Sequence, residues 1–216
     1  MYMKKKIKLF IVIFIMIIAS MYSGTSIQAA QKNVTNIYKK QATKILRGFD
    51  GYLGYCCGEN EYFRYDTYAK TTMVYLKNLS SIYNKSTAYA RKKLLPQMRL
   101  YFNTSTIKLK KYTNYKFAAN PSYLIRDRKG KVAYIGGDWG THVPRGIVRK
   151  ILKNGSDYEV TYNLYLYDIF ENKYVKSYYS DTGLIGSYRI TMKKANNKNG
   201  FYIKKIKQIY SAKISL

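Results

Sequence analysis

The last third of the chain alternates between apolar and polar positions with a period of two. In Tyr158–Tyr167 the even positions are apolar, and the odd positions are polar or carry Tyr165 and Tyr167. A second alternating segment covers Leu184–Met192. This period is typical of strands that bury one face, because successive side chains point to opposite sides. The pattern predicts long strands with one apolar face, and with Tyr165 and Tyr167 on the opposite face.

A hairpin follows these strands. Asn196–Gly200 is rich in Asn and Gly, which tolerate the positive φ values of tight turns. Phe201–Tyr210 is then the returning strand. Its apolar positions change side midway, and a bulge near Lys204 and Lys205 would restore the register. The sequence therefore predicts an antiparallel sheet whose apolar face needs a cover.

An amphipathic helix is predicted over Lys32–Phe49, where apolar residues recur every three or four positions and lysines fill much of the rest. We expect its apolar side to lie on the sheet. The alternative is a basic helix that lies on a membrane surface.

Two more helices are predicted before the strands. Asp66–Leu79 is expected to be capped by Asp66, and Ser86–Tyr101 by Ser86. Pro96 is expected to end or kink the third helix, since it lacks a backbone N–H. Several glycines predict an irregular segment over residues 50–65.

Shorter strands are predicted at Ile107–Phe117, at Ile147–Leu152 and, as a strand–turn–strand unit, at Tyr123–Ile135. Helices that precede a curved, mainly antiparallel sheet define an α+β fold. Residues 30–216 show no internal repeat and no Pro- or Ser-rich linker, so a single domain is the simplest division.

This pattern resembles the cone-like fold of the nuclear transport factor 2-like and cystatin-like groups. The resemblance rests on the opening helix and on three segments, YEVTYNLYLYD, GSYRITMKK and GFYIKKIK. The chain also resembles small uncharacterised exported proteins of Gram-positive bacteria with such sheets. Those folds host enzymes, binding modules and scaffolds, so the resemblance implies a fold and does not imply a function.

The N-terminal residues have the three-part layout of a secretory signal peptide. Four lysines precede an apolar run of 11 residues, Leu9–Ala19, and Ala29 and Ala30 supply small residues for cleavage. We therefore predict a signal peptide over residues 1–29 and a secreted or cell-surface protein. An uncleaved membrane anchor is the alternative, although the apolar run is short for a span.

The chain has 39 Lys and Arg against 11 Asp and Glu, a formal charge of +28. Residues 1–29 hold four lysines and no acid, so the remainder carries +24. A protein of this charge adheres to polyanions in a salt-dependent way. The predicted partners are anionic envelope polymers or a lipid surface, with a protein or glycan partner as a further prediction. Nucleic acid is disfavoured, because no binding motif is present and the protein is predicted to be exported.

Thiol chemistry is the enzymatic alternative. Cys56 and Cys57 are adjacent, and His142 is the one histidine, four residues after Asp138. A cysteine-dependent hydrolase or transpeptidase would need a cysteine paired with this histidine. The adjacent cysteines are expected to be two free thiols or one strained vicinal disulfide. No peptidase signature surrounds them, so a non-enzymatic protein is the prediction.

No cofactor or metal site is predicted. One histidine and two adjacent cysteines do not provide the three or four ligands that zinc needs, and no acidic loop matches a calcium site. Binding residues are instead sought among aromatic and polar side chains. Asp138 and Trp139 in the Gly-rich segment 136–140, together with Tyr165 and Tyr167, are the candidates for ligand binding.

Overall fold

The computed structural model describes residues 31–57, 63–111, 124–128, 131–135, 141–176 and 182–212. In these residues, helices precede a curved antiparallel sheet, which confirms the predicted α+β class. Residues Lys32–Leu216 form one compact unit. The predicted signal segment lies outside the described residues.

The helical part contains five α-helices and one short 3-10 helix among the described residues. They are α1 (Thr35–Leu46), the 3-10 helix Arg47–Phe49, α2 (Asp50–Tyr55), α3 (Thr67–Lys77), α4 (Leu79–Ile82) and α5 (Thr87–Phe102). The three predicted helices are confirmed as α1, α3 and α5, with ends that differ by a few residues.

Both predicted N-caps are confirmed. The Asp66 carboxylate accepts a 2.8 Å hydrogen bond from the Ala69 N–H, and the Ser86 hydroxyl accepts one from the Tyr89 N–H. Each cap satisfies a backbone donor that has no partner within its helix.

Two local predictions need correction. Pro96 does not end helix α5, which runs on to Phe102, because buried Met98 and Phe102 anchor its last turns in the core. The prediction of an irregular segment over residues 50–65 is wrong for Asp50–Tyr55, which form helix α2 with Leu53 buried in the core despite the local glycines, whereas residues 63–65 are irregular as predicted. In both cases packing outweighs a local propensity.

The strands form two sheets. They are β1 (Lys32–Asn33), β2 (Lys110–Lys111), β3 (Leu124–Arg128), β4 (Lys131–Ile135), β5 (His142–Asn154), β6 (Asp157–Asp168), β7 (Lys173–Tyr174), β8 (Leu184–Lys194) and β9 (Phe201–Ser211). The larger sheet is antiparallel in the order β1-β5-β6-β8-β9, and β7 pairs with β6.

The smaller sheet has the order β2-β3-β4, and β3 and β4 confirm the predicted strand–turn–strand unit. Of the strand predicted over Ile107–Phe117, the described part contains only β2. Residues 112–123 lie outside the described residues.

The predicted bulge in the last strand is confirmed. Met192 pairs with Ile203 and Thr191 pairs with Lys205, so Lys204 is the extra residue in β9. Bulges are common where a long strand must change which face its side chains cover. Here the extra residue keeps both Ile203 and Ile206 buried.

The core lies between the helices and one face of the larger sheet. The even positions of β6 from Tyr158 to Leu164 are buried, as predicted. Helix α1 packs Ile45 and Leu46 into the same core, and the Tyr38 ring meets Tyr158 edge to face. The prediction that the first helix covers the sheet is confirmed. We call this covered side of the sheet the inner face and the opposite side the outer face.

Candidate anion-binding surfaces

The solvent side of helix α1 carries three lysines and no acid, beside the exposed residues Asn36 and Ile37. The helix sequence, TNIYKKQATKIL, contains no acid, and its lysines at 39, 40 and 44 are exposed. Buried residues such as Ile45 and Leu46 form the opposite, apolar side of the helix, which packs into the core. The amphipathic pattern that seats the helix on the sheet therefore also gathers the lysines on one side.

A groove runs along this side of the helix. It is an open depression of about 910 Å³ between α1, the 3-10 helix that follows it and the end of α3. Its described lining residues, which define the basic groove, are Asn36, Lys39, Lys40, Thr43, Lys44, Arg47, Gly48 and Lys77. Five of these eight residues are cationic and none is acidic.

Lys77 reaches the groove from another helix. Its ammonium lies 5.2 Å from the centre of the Tyr101 ring and 5.8 Å from that of Phe49. Both rings are held in the core and meet edge to face, with centroids 5.2 Å apart. A cation over aromatic faces is attracted to the ring electrons, so Lys77 is positioned toward Gly48.

Gly48 leaves the space that Lys77 occupies. A Cβ at position 48 would lie 2.1 Å from the Lys77 Nζ. The glycine therefore lets the ammonium lie against the backbone at the end of the groove. This contact joins two segments that are far apart in sequence, so the sequence alone offers no signal for it.

Four ion pairs occur in the described part of the chain, and none involves a groove residue. Arg47 interacts electrostatically with the buried acid Asp50, but without a direct ion pair. Lys40 and Lys44 are four residues apart on the helix, a spacing at which like charges repel. The groove thus concentrates positive charge that an external anion would neutralise.

Asp50, the acid that follows the groove in sequence, is turned into the core. Its carboxylate accepts hydrogen bonds from the Gly146 N–H at 2.9 Å and from the Tyr162 hydroxyl at 2.5 Å. Burial raises the pKa of Asp50 to about 6, although both hydrogen bonds, Arg47 and Arg145 act in the opposite direction. Its role is to satisfy buried donors, including an N–H of β5, and its carboxylate is not part of the groove lining.

The outer face of the sheet carries the predicted ligand-binding tyrosines. The rings of Tyr165 and Tyr167 both meet Tyr174 of β7, with centroids 5.8 and 5.1 Å apart. Tyr165 is half-buried, and its hydroxyl accepts a hydrogen bond from Arg149. Tyr167 is buried beneath the Arg145 guanidinium, which lies 3.5 Å from the ring centre.

The two tyrosines therefore share the predicted face but differ in what they offer a ligand. Tyr165 retains accessible surface and belongs to a polar chain in which Asn163 contacts its hydroxyl and Ser187 donates to Asn163. Tyr167 is covered by its own neighbours. The other two candidates, Asp138 and Trp139, lie outside the described residues.

Cys56 and Cys57 are both buried, and neither forms a disulfide. The Cys57 thiol contacts the Tyr188 hydroxyl at 3.3 Å and the Leu53 carbonyl at 3.4 Å. Burial raises the pKa of Cys57 to about 11, although Tyr188 and Gln208 lower it. A reactive thiol needs the opposite shift, toward the thiolate.

His142 lies well beyond hydrogen-bond reach of these thiols. Cys57 packs against Gly186 and Tyr188 of β8. Across the intervening strand β6, these two residues are in register with Gly146 and Val148 of β5. His142 is four to six residues further along β5, or roughly 13–20 Å at about 3.3 Å per residue. The structure does not bring the predicted thiol and imidazole together.

The imidazole instead faces Asp168. His142 Nε2 lies 3.3 Å from Asp168 Oδ2, at the open end of β5 and β6. The Asp168 carboxylate accepts a hydrogen bond from the Glu171 N–H, and this bond is the main reason why the pKa of Asp168 is lowered. The carboxylate also accepts from the Phe170 N–H, so it organises the turn that follows β6.

Among the described residues, three or more His, Cys, Asp or Glu side chains nowhere gather as a metal site would require. No helix in the same residues combines the length and the apolar character needed to cross a membrane. Neither family models, nor curated proteins, nor solved structures gave a match to the chain.

Proposed function

We propose that the protein is a non-enzymatic, exported, strongly basic protein that attaches to anionic polymers of the cell envelope through the basic groove. The observation that carries the proposal is the set of five cations that line the groove without an acid among its described residues. The signal-like N-terminus and the excess of 39 basic over 11 acidic residues support export and a polyanionic partner.

The groove suits a polymer better than a small anion. It is open along its length, and Lys40 and Lys44 lie about 6 Å apart along the helix axis at 1.5 Å per residue. A repeating anion meets several cations at once, and each contact releases bound counter-ions. Binding should therefore weaken steeply as salt rises.

The cysteine-dependent alternative lacks the geometry that it needs. Its thiols are buried, burial raises the pKa of Cys57, and His142 contacts Asp168 at a distance from them. The proposed chemistry is adhesion, in which no covalent bond of the partner changes.

The test is binding of the exported protein to purified bacterial cell walls. The full reading frame is expressed, and the released form is purified and its N-terminus determined. A groove variant, Lys39→Gln/Lys40→Gln/Lys44→Gln, is compared with a control, Lys85→Gln/Lys92→Gln/Lys198→Gln. All six lysines are exposed, so both variants lose the same charge and the comparison isolates the groove.

We expect the groove variant to bind roughly 10–100-fold more weakly than the control, since a lysine near an anionic surface contributes about 1 kcal/mol. Equal binding by the two variants would reject the groove. Binding that does not respond to salt would reject the polyanion, and stronger binding to phosphatidylglycerol vesicles than to walls would indicate a lipid partner instead. A released form that retains residues 1–29 would reject the signal peptide.

A further inference from the structure

We propose that the outer face of the sheet is a second polyanion-binding surface, so that one protein molecule bridges two polymer strands. The inference rests on the proposed function and adds cross-linking to it. Its evidence is independent of the groove, because it comes from strands β5, β6, β8 and β9.

A row of cations crosses this face. Thr161 pairs with Lys150 on one side and with Arg189 on the other, and Arg189 pairs with Lys207. Residues directly opposite each other in antiparallel strands point to the same face. Because Val160 and Ile190 are buried on the inner face, the row points outward. Lys150, Arg189 and Lys207 are all exposed.

This row of cations does not stabilise the pairing of the strands. Like charges placed directly opposite each other, as Arg189 and Lys207 are, destabilise a strand pair. Glu159 relieves Arg189 in part, with 3.3 Å between Arg189 Nε and the carboxylate. Lys150 and Lys207 have no ion-pair partner within the described residues. An anion that spans the row would remove the repulsion.

The next row adds one further cation and contains one acid, Glu159, which is the partner of Arg189. Glu159 pairs with Thr191, and Thr191 pairs with Lys205, which is exposed and lies two residues from Lys207 on the same face. The bulge residue Lys204 reaches Asp157 at 2.8 Å, so this ion pair neutralises one acid of the face. The remaining cations are free to bind a partner.

Polar and aromatic groups lie beside the cations. Asn163, Ser187 and Tyr210 occupy one register row, and the Tyr210 side chain is exposed. Together with Tyr165 they offer hydrogen bonds and ring surface to the uncharged parts of a polymer repeat. These groups favour a polymer with polar linking units over a simple counter-ion.

The two surfaces point in opposite directions. Helix α1 lies on the inner face with Ile45 and Leu46 in the core, so its lysines point away from the sheet. A helix layer and the sheet itself separate the groove from the outer face. One stretch of polymer therefore meets one surface, and a second strand is needed to fill the other. Two sites on one rigid body raise avidity and link the strands.

The test measures stoichiometry and cross-linking separately. Short fluorescent polyphosphate is titrated into the exported protein, and light scattering is followed with long-chain polyphosphate. A sheet variant, Lys150→Gln/Lys205→Gln/Lys207→Gln, is compared with the groove variant and the control variant defined above. Circular dichroism and thermal melts establish that each variant is folded.

We expect about two equivalents of short polymer for the wild type and the control, and about one for each surface variant. Scattering with long polymer should fall at least severalfold in both surface variants. One equivalent in the wild type, or full scattering by the sheet variant, would overturn the inference while leaving the groove intact. Loss confined to the sheet variant would instead reject the groove as the site of attachment.

Discussion

The phenol of Tyr162 crosses the Cα of Gly146, and its hydroxyl donates a 2.5 Å hydrogen bond to the Asp50 carboxylate. Tyr162 of the central strand β6 thereby reaches Asp50, which follows the 3-10 helix. Gly146 of the neighbouring strand β5 has no side chain and so leaves space for the Tyr162 ring. The Gly146 N–H completes the contact by donating to the same carboxylate.

Because Asp50 is buried, we expect its contribution to the stability of the protein to be larger near pH 4 than near pH 6. Burial raises the pKa of Asp50 from 3.8 to about 6, so the folded protein keeps a proton that the unfolded chain releases near pH 4. The free energy of unfolding should fall as pH rises between these values, by roughly 3 kcal/mol from this group. Denaturant melts across this range measure it.

The Asp50→Asn variant is the matched control, because an amide resembles the protonated acid and does not titrate. We expect its stability curve to lack the slope assigned to Asp50. Parallel curves for the variant and the wild type between pH 4 and 6 would show that Asp50 does not titrate there.

Gly146→Ala should destabilise the protein. A Cβ at this position would lie 2.0 Å from the Tyr162 ring, and overpacking of this kind costs about 1–3 kcal/mol. The cost should shrink in a Tyr162→Leu background, where the ring is gone, and a double-mutant cycle reports the difference. Additive effects would contradict direct contact between the two residues.

Gly48→Ala should weaken polyanion binding with little effect on stability. The added Cβ would displace the Lys77 ammonium, which is the far end of a flexible side chain. We expect the affinity to fall severalfold, about as much as in Lys77→Gln, and the free energy of unfolding to change by less than about 1 kcal/mol. If Lys77→Gln lowers the affinity for the polyanion and Gly48→Ala does not, the added Cβ does not displace the Lys77 ammonium, and this prediction is wrong.

The cysteines should resist thiol reagents while the protein is folded. Both are buried, and burial raises the pKa of Cys57 to about 11, so little thiolate is present near neutral pH. We expect fewer than about 0.1 equivalents to react rapidly with a chromogenic disulfide at pH 8, and about two after denaturation. Prompt reaction of the folded protein would contradict this, as would an intact mass lower by two hydrogens.

Much of the fold was predictable because short-range patterns determine it. Asp66 and Ser86 mark helix starts through bonds that span three residues. The bulge at Lys204 shows as a change in the phase of alternation within one strand. The face of Tyr165 and Tyr167 follows from the same alternation.

The contacts that shape the candidate site were not predictable in this way. Lys77 meets Gly48 from another helix, and Asp50 meets Gly146 from a strand nearly a hundred residues later in the chain. Neither pair leaves a local pattern. Pro96 does not end its helix for a related reason, because buried residues in the turns after it hold those turns in the core. The lysines of α1 were visible, but the sequence did not show that Lys77 joins them.

The absence of any acid from α1 links folding to the surroundings of the protein. Self-repulsion among Lys39, Lys40 and Lys44 strains the first helix when the protein is free, and a bound polyanion screens it. A partner that binds only the native state raises stability by mass action. We therefore expect the polyanion-bound protein to have a higher free energy of unfolding than the unbound protein. Heat and proteases should then inactivate unbound molecules first.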